Sequence, residues 1–182
     1  MSSILKVDQL QDSGGNAIIT SDGAGNLTAG TIPAKTIGTG AILQVVSASH
    51  STTATATTAT YIDTGLTASI TPSSSSNKIL VLVNQPFLLQ DSTGGSAGGD
   101  IRLMRDSTAI VGNNTRYQVY IQSTGSTNEA QYNRYTISIV DEPATSSSVV
   151  YKTQAARYTG SDYIATSPAS FKGTITLMEI AG

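Results

Sequence analysis

The run Ile79, Leu80, Val81, Leu82, Val83 sets five apolar residues in succession, and no other stretch constrains the fold of this chain as much. Five residues are far too few to span a bilayer, and no 3.6-residue apolar period extends them into a helix. They read as a β-strand that is apolar on both faces, which is the pattern of a strand covered on both sides. Other strand candidates alternate instead. Leu66, Ala68 and Ile70 share one face, and so do Tyr135, Ile137 and Ile139.

Val, Ile, Thr and Tyr recur in short runs separated by Gly, Pro, Asn, Asp and Ser, which predicts an all-β chain. The strands are expected over 41–49, 60–70, 77–90, 100–105, 116–122, 132–140, 148–154 and 173–180. Eight strands in such a span predict a jelly-roll-like β-sandwich over 41–182. Each sheet of a sandwich has one wet face, so a doubly apolar strand implies that something covers the outer face. The partner nearest to hand is another copy of the chain. Ile79, Leu80, Val81, Leu82 and Val83 are therefore the oligomer-interface candidates, and the chain is expected to complete its interior only with sister copies.

Residues 1–40 have a different texture. Asp12-Ser13-Gly14-Gly15-Asn16 returns ten residues later as Asp22-Gly23-Ala24-Gly25-Asn26, each followed by a short apolar and Thr-containing stretch. These are turn signals, each predicted to precede a short strand. The segment reads as an extended, turn-rich arm or a short β shaft.

Composition removes several function classes. Ten Lys and Arg stand against twelve Asp and Glu, for a net charge of −2, so the clustered basic charge that grips nucleic acid is missing. There is no Cys, hence no disulfide and no thiolate metal site. The single His50 does not supply the several converging ligands a zinc site needs. The expectation is no metal, no cofactor, no membrane insertion and no signal peptide, because acidic residues interrupt the N-terminus before an apolar core forms.

The catalytic constellations are thin. His50 lies in Ser49-His50-Ser51-Thr52 without a nucleophile elbow around it and reads as a residue at a strand end. Asp141-Glu142-Pro143 reads as turn chemistry, and a glycosidase pair from distant carboxylates such as Asp63 and Glu129 has no sequence support. No catalytic residue is assigned. Binding candidates are clearer. The Gly- and Ser-rich stretch from Asp91 through Ser96 to Asp100 reads as a long flexible loop of the kind that carries recognition. Tyr117, Tyr120, Tyr132 and Tyr135 crowd a segment rich in Gln, Asn and Arg, and rings beside amide and guanidinium donors suit sugars or a protein hot spot.

Specific blocks carry a resemblance. Ser3-Ile4-Leu5-Lys6-Val7-Asp8-Gln9-Leu10 with its following turns, Ile42-Leu43-Gln44-Val45-Val46, 64–72, Lys78-Ile79-Leu80-Val81 and 174–180 resemble the tail-fibre and virion-appendage proteins of tailed bacteriophages, especially those of marine hosts. The resemblance implies a structural virion protein exposed on the particle, with an N-terminal arm that docks to other virion proteins through Ile4, Leu5, Val7 and Leu10. It also implies a C-terminal β-domain that forms a homotrimer, the copies intertwined, and that meets a host-surface glycan or protein without catalysis. A capsid decoration or cement protein is the alternative role, and a glycan depolymerase the third.

Overall fold

The computed structural model describes residues 9–11, 13–21, 23–24, 27–29, 38–92, 94–112, 118–122, 128–159 and 163–182. The chain divides into two compact units, Met1–Ala41 and Ile42–Gly182. In the first, β1 (Gln9–Gln11), β2 (Ala17–Ser21) and β3 (Leu27–Ala29) form an antiparallel sheet in that order. β2 and β3 each follow one copy of the Asp/Gly/Asn repeat in the sequence. Leu10 on β1 is exposed, and Ile4, Leu5 and Val7 lie outside the described residues.

The second unit is an antiparallel β-sandwich. Its strands are β4 (Ile42–His50), β5 (Ala54–Ala56), β6 (Ile62–Ile70), β7 (Lys78–Asp91), β8 (Ser96–Arg105) and β9 (Thr108–Val111), then β10 (Val119–Gln122), β11 (Glu129–Asp141), β12 (Val149–Thr159), β13 (Tyr163–Thr166) and β14 (Gly173–Ile180). One sheet runs β4-β14-β7-β13-β5, with β11 along the other side of β7; the second runs β10-β8-β12-β6, with β9 also on β8. The alternation read in β6 becomes burial: Leu66, Ala68 and Ile70 face the core while Thr67 and Ser69 face out.

Two apolar clusters fill the space between the sheets. Leu66, Ile79, Val81, Leu103, Tyr151, Ile175 and Leu177 lie in the first, and Phe87, Leu89, Ile101, Val119 and Ile164 in the second. Gln85 and Thr153 fall where β7 and β12 pass from one cluster to the other, and there they form a buried polar junction with Thr64. Thr153 Oγ1 donates to Gln85 Oε1 at 2.9 Å and lies 2.5 Å from Thr64 Oγ1. Gln85 Nε2 donates to Ser167 Oγ at 3.4 Å, so no side chain of the junction is left without a partner.

This interior closes within one chain, which overturns the expectation that sister copies complete it. Ile79, Val81 and Val83 are 0, 0 and 3% exposed inside the chain's own core. Leu80 and Leu82 alone point to the opposite face, where they are half-buried.

The flexible loop expected over Asp91–Asp100 is also corrected. β7 runs through Asp91 and β8 begins at Ser96, so only 92–95 connect the sheets. Small residues serve close packing here: a Cβ on Gly99 would lie 2.9 Å from Ile164 Cδ1. The short strands β5, β9 and β13 were not among the strands expected from sequence.

Candidate functional site

Two features of the six-stranded sheet stand out on its outer face. The first is built by register. Val140 on β11 pairs with Leu80 on β7, Leu80 with Met178 on β14, and Met178 with Val45 on β4, so four apolar side chains form one row across four strands. Val45 and Val140 are 56% and 54% exposed. The next two rows, Ser138-Leu82-Thr176-Ser47 and Thr136-Asn84-Thr174-Ser49, carry no charge. Charges bound the face at its two ends. Lys78 Nζ meets Glu142 Oε1 at 2.7 Å at one end, and Arg134 pairs across from Pro86 toward the other. The salt bridge to Lys78 holds the exposed Glu142 carboxyl below its ordinary range.

The second feature is a pocket of about 310 Å³ beyond those rows, lined by Pro86, Tyr132, Asn133, Arg134 and Phe171. A further cleft of about 400 Å³ opens between the edge strands β10 and β11, lined by Tyr120, Ile121, Glu129, Ala130 and Gln131.

The residues proposed from sequence as a receptor surface therefore separate. Tyr120 borders the edge cleft and Tyr132 the outer-face pocket. Tyr135 turns inward against both apolar clusters, because three residues of strand place it on the face opposite Tyr132. Tyr117 lies outside the described residues. Ser96 is half-buried at the start of β8, paired with Gln122. Asp91 and Asp100 are 1% and 5% exposed, so neither is a loop residue presented to solvent. Asp100 instead accepts from Tyr61 Oη at 3.1 Å. Burial, then the Asp100 charge and that hydrogen bond, push the Tyr61 hydroxyl up to about 12, and burial raises the Asp100 carboxyl. Phe171 was missed because only the tertiary fold brings residue 171 beside 132–134, whereas Arg134 lies within the Tyr-rich segment as one of its guanidinium donors without having been singled out.

The carboxylates with a conceivable catalytic role have structural work. Asp63 accepts from Lys152 Nζ at 2.8 Å and from Gln154 Nε2 at 2.6 Å, and the Lys152 bond leads in holding its carboxyl below the usual value. It sits on β6, at the sandwich edge opposite the β10–β11 edge where Glu129 lines the cleft. Asp141 accepts from Arg105 Nη1 at 2.9 Å and from the Tyr151 hydroxyl at 2.6 Å, tying β11 of one sheet to β8 and β12 of the other. Burial is the main reason the Tyr151 hydroxyl titrates above its ordinary value. Tyr151→Phe keeps the ring and removes the buried donor, and is expected to cost about 1–3 kcal/mol in urea unfolding. His50 ends β4 and packs its ring on Gly65. Among the described residues no group of three or more His, Cys, Asp or Glu could hold a metal ion.

No known family model matches the chain, and no match to a curated protein is found.

Proposed function

We propose that this chain is a structural virion protein of a tailed bacteriophage: a short homotrimeric fibre or knob that docks through residues 1–40 and meets the host surface by binding without catalysis. The observation that carries the reading is the charge-free outer face with its apolar row Val140-Leu80-Met178-Val45. A water-facing sheet side ordinarily carries alternating polar and charged residues, whereas the centre of a subunit interface is depleted of charge. The three charge-free rows span residues 80–84 of β7, so four strands about 4.8 Å apart and five residues long at about 3.3 Å each give a charge-free face on the order of 300 Å². One side of a standard interface is about 800 Å², so this face matches the charge-depleted centre of such an interface and not its whole extent.

The strand orders β4-β14-β7-β11 and β6-β12-β8-β10 support the jelly-roll form of the sandwich. Threefold order and the virion setting come from the resemblance of the sequence blocks. Three weak sites on one knob would then act together through effective concentration.

Native mass measurement tests the reading. The wild-type chain is expected at three times 18.7 kDa at micromolar concentration. Leu80→Lys is expected to give a folded monomer, because it buries an unpaired charge only in the assembly and adds a solvated side chain to the free face. A monomeric wild type, or a trimer indifferent to Leu80→Lys, would remove the support. Adsorption of the isolated 41–182 trimer to host cells separates a receptor-binding knob from a cement protein, which has no reason to adsorb.

A further inference from the structure

We propose that the outer-face pocket is a subsite for an acidic sugar residue, with the ring on Phe171 and Tyr132 and the carboxylate on Arg134. The inference rests on the attachment reading for its biological role and names the ligand class for it. Three observations converge on the pocket. Tyr132 and Phe171 are 58% and 49% exposed, two aromatic side chains left open to water at one 310 Å³ recess. The CH face of a pyranose stacks on such rings while its hydroxyls stay hydrated.

Arg134 supplies the charge. Its Nη1 donates to Asn84 Oδ1 at 2.9 Å and to the Lys172 carbonyl at 3.4 Å, both neutral acceptors, and it makes no ion pair among the described residues. Those bonds fix the guanidinium beside Phe171 and engage one nitrogen of a fork that carries five N–H groups. A guanidinium with neutral partners at the wall of a pocket suits a bidentate carboxylate. Asn133 Oδ1 accepts from the Arg134 backbone N–H at 2.8 Å, which leaves the Asn133 amide hydrogens for a sugar hydroxyl.

The third observation is how Phe171 is held. The preceding turn has positive φ at three non-glycine residues, Ser167 (51°), Ala169 (51°) and Ser170 (62°). L-residues adopt this backbone at a cost, and such clusters persist where the surroundings over-determine them. Here Ser167 N donates to the Pro86 carbonyl and Phe171 N to the Pro168 carbonyl, each at 2.9 Å. The strained turn is thereby fastened to Pro86, itself a wall of the pocket, and Phe171 is pre-placed rather than ordered on binding.

A second copy of the chain is the rival occupant. Leu80 and Pro86 are six residues apart on β7, about 20 Å of strand, so a neighbour seated on the apolar row leaves room for a ligand at the pocket.

The test is titration calorimetry of the full chain with sialyllactose and tetragalacturonate, against lactose and a galactose tetramer as neutral counterparts, with native mass recorded for every variant. Millimolar, salt-weakened binding is expected for at least one acidic probe and at least about tenfold weaker binding for its counterpart. Arg134→Gln should abolish that preference, and Phe171→Ala should weaken acidic and neutral probes alike by about five- to tenfold, with mass unchanged. Binding of neither acidic probe, equal affinity for neutral probes, or dissociation of the assembly by Phe171→Ala would each overturn the proposal. A trimer that fails only these titrations leaves the attachment reading standing, whereas a monomeric wild type strikes that reading and not the pocket.

Discussion

Replacing Glu179 with Gln is expected to destabilise the sandwich by about 3 kcal/mol at neutral pH. Glu179 is 1% exposed near the end of β14, and no cation is bonded to it among the described residues. It is satisfied by donors alone: Gln44 Nε2 at 2.5 Å on one oxygen, and on the other Asn77 Nδ2 at 2.5 Å, Ser73 N at 2.6 Å and Ser73 Oγ at 2.8 Å. The carboxylate thus fastens the 71–77 connection and β4 to β14. A Gln at this position sets its NH₂ group either against the Ser73 and Asn77 donors or against Gln44, whose amide can present its oxygen instead only by giving up its bond to the Thr71 carbonyl.

The same geometry sets a pH dependence. Burial alone would raise the Glu179 carboxyl, but the bonds from Asn77, Gln44 and Ser73 outweigh it and hold the group below its ordinary value. A carboxyl depressed in the folded state contributes stability that is fully present above the unfolded value, about 4.3, and is lost as pH falls through the folded value. Urea unfolding at fixed protein concentration should therefore show a wild-type to Glu179→Gln gap that is constant from pH 7 to about 5 and narrows below about 4. A gap that stays constant down to pH 3 would mean that the loss is steric. Asp63, also depressed, acts with the same sign, and Asp100, raised by burial, with the opposite sign, so the difference between the two proteins isolates Glu179.

The residues that build this clasp show why some of the molecule was legible in sequence and some was not. Period-two patterning is local, and it placed Leu66, Ala68, Ile70, Ile137 and Ile139 on inner faces and set β14 at Gly173–Ile180. A continuous apolar run has no such parity. Ile79–Val83 could not reveal that three of its residues fill the chain's own core, nor that Leu80 joins Val45, Met178 and Val140, which are distant in sequence and paired only by sheet register. Glu179 looks like an ordinary polar residue of an amphipathic strand, and its burial depends on Gln44, Ser73 and Asn77 from two other segments. The Gly-rich stretch after Asp91 misled for a related reason. Absence of side chains signals freedom in an isolated chain, but in β8 it makes room for Ile164.

Gly65→Ala is expected to cost about 3 kcal/mol, through two separable mechanisms. β6 carries a bulge here: the register with β12 passes from Thr67↔Lys152 to Asp63↔Gln154, so residues 64–66 face the single Thr153. Gly65 takes φ +84° in that bulge, and a Cβ built on it would lie 2.3 Å from His50 Nε2 and 2.6 Å from Cε1. Left-handed backbone strain on an L-residue accounts for about 1–2 kcal/mol, and displacement of the half-buried imidazole for the rest. His50→Ala removes the ring and leaves the φ requirement. A double-mutant cycle in urea should then show Gly65→Ala costing about 1–2 kcal/mol in the His50→Ala background. An undiminished cost there would assign the whole effect to the backbone and make His50 a bystander. The bulge also aligns Thr64 with Thr153 and Gln85, so its loss reaches the polar junction between the two apolar clusters. The register moves by two residues across 64–66, an even step that keeps Thr64, Leu66 and Ala68 on the same core face, so what ties this position to glycine is the left-handed φ and the imidazole packed against it.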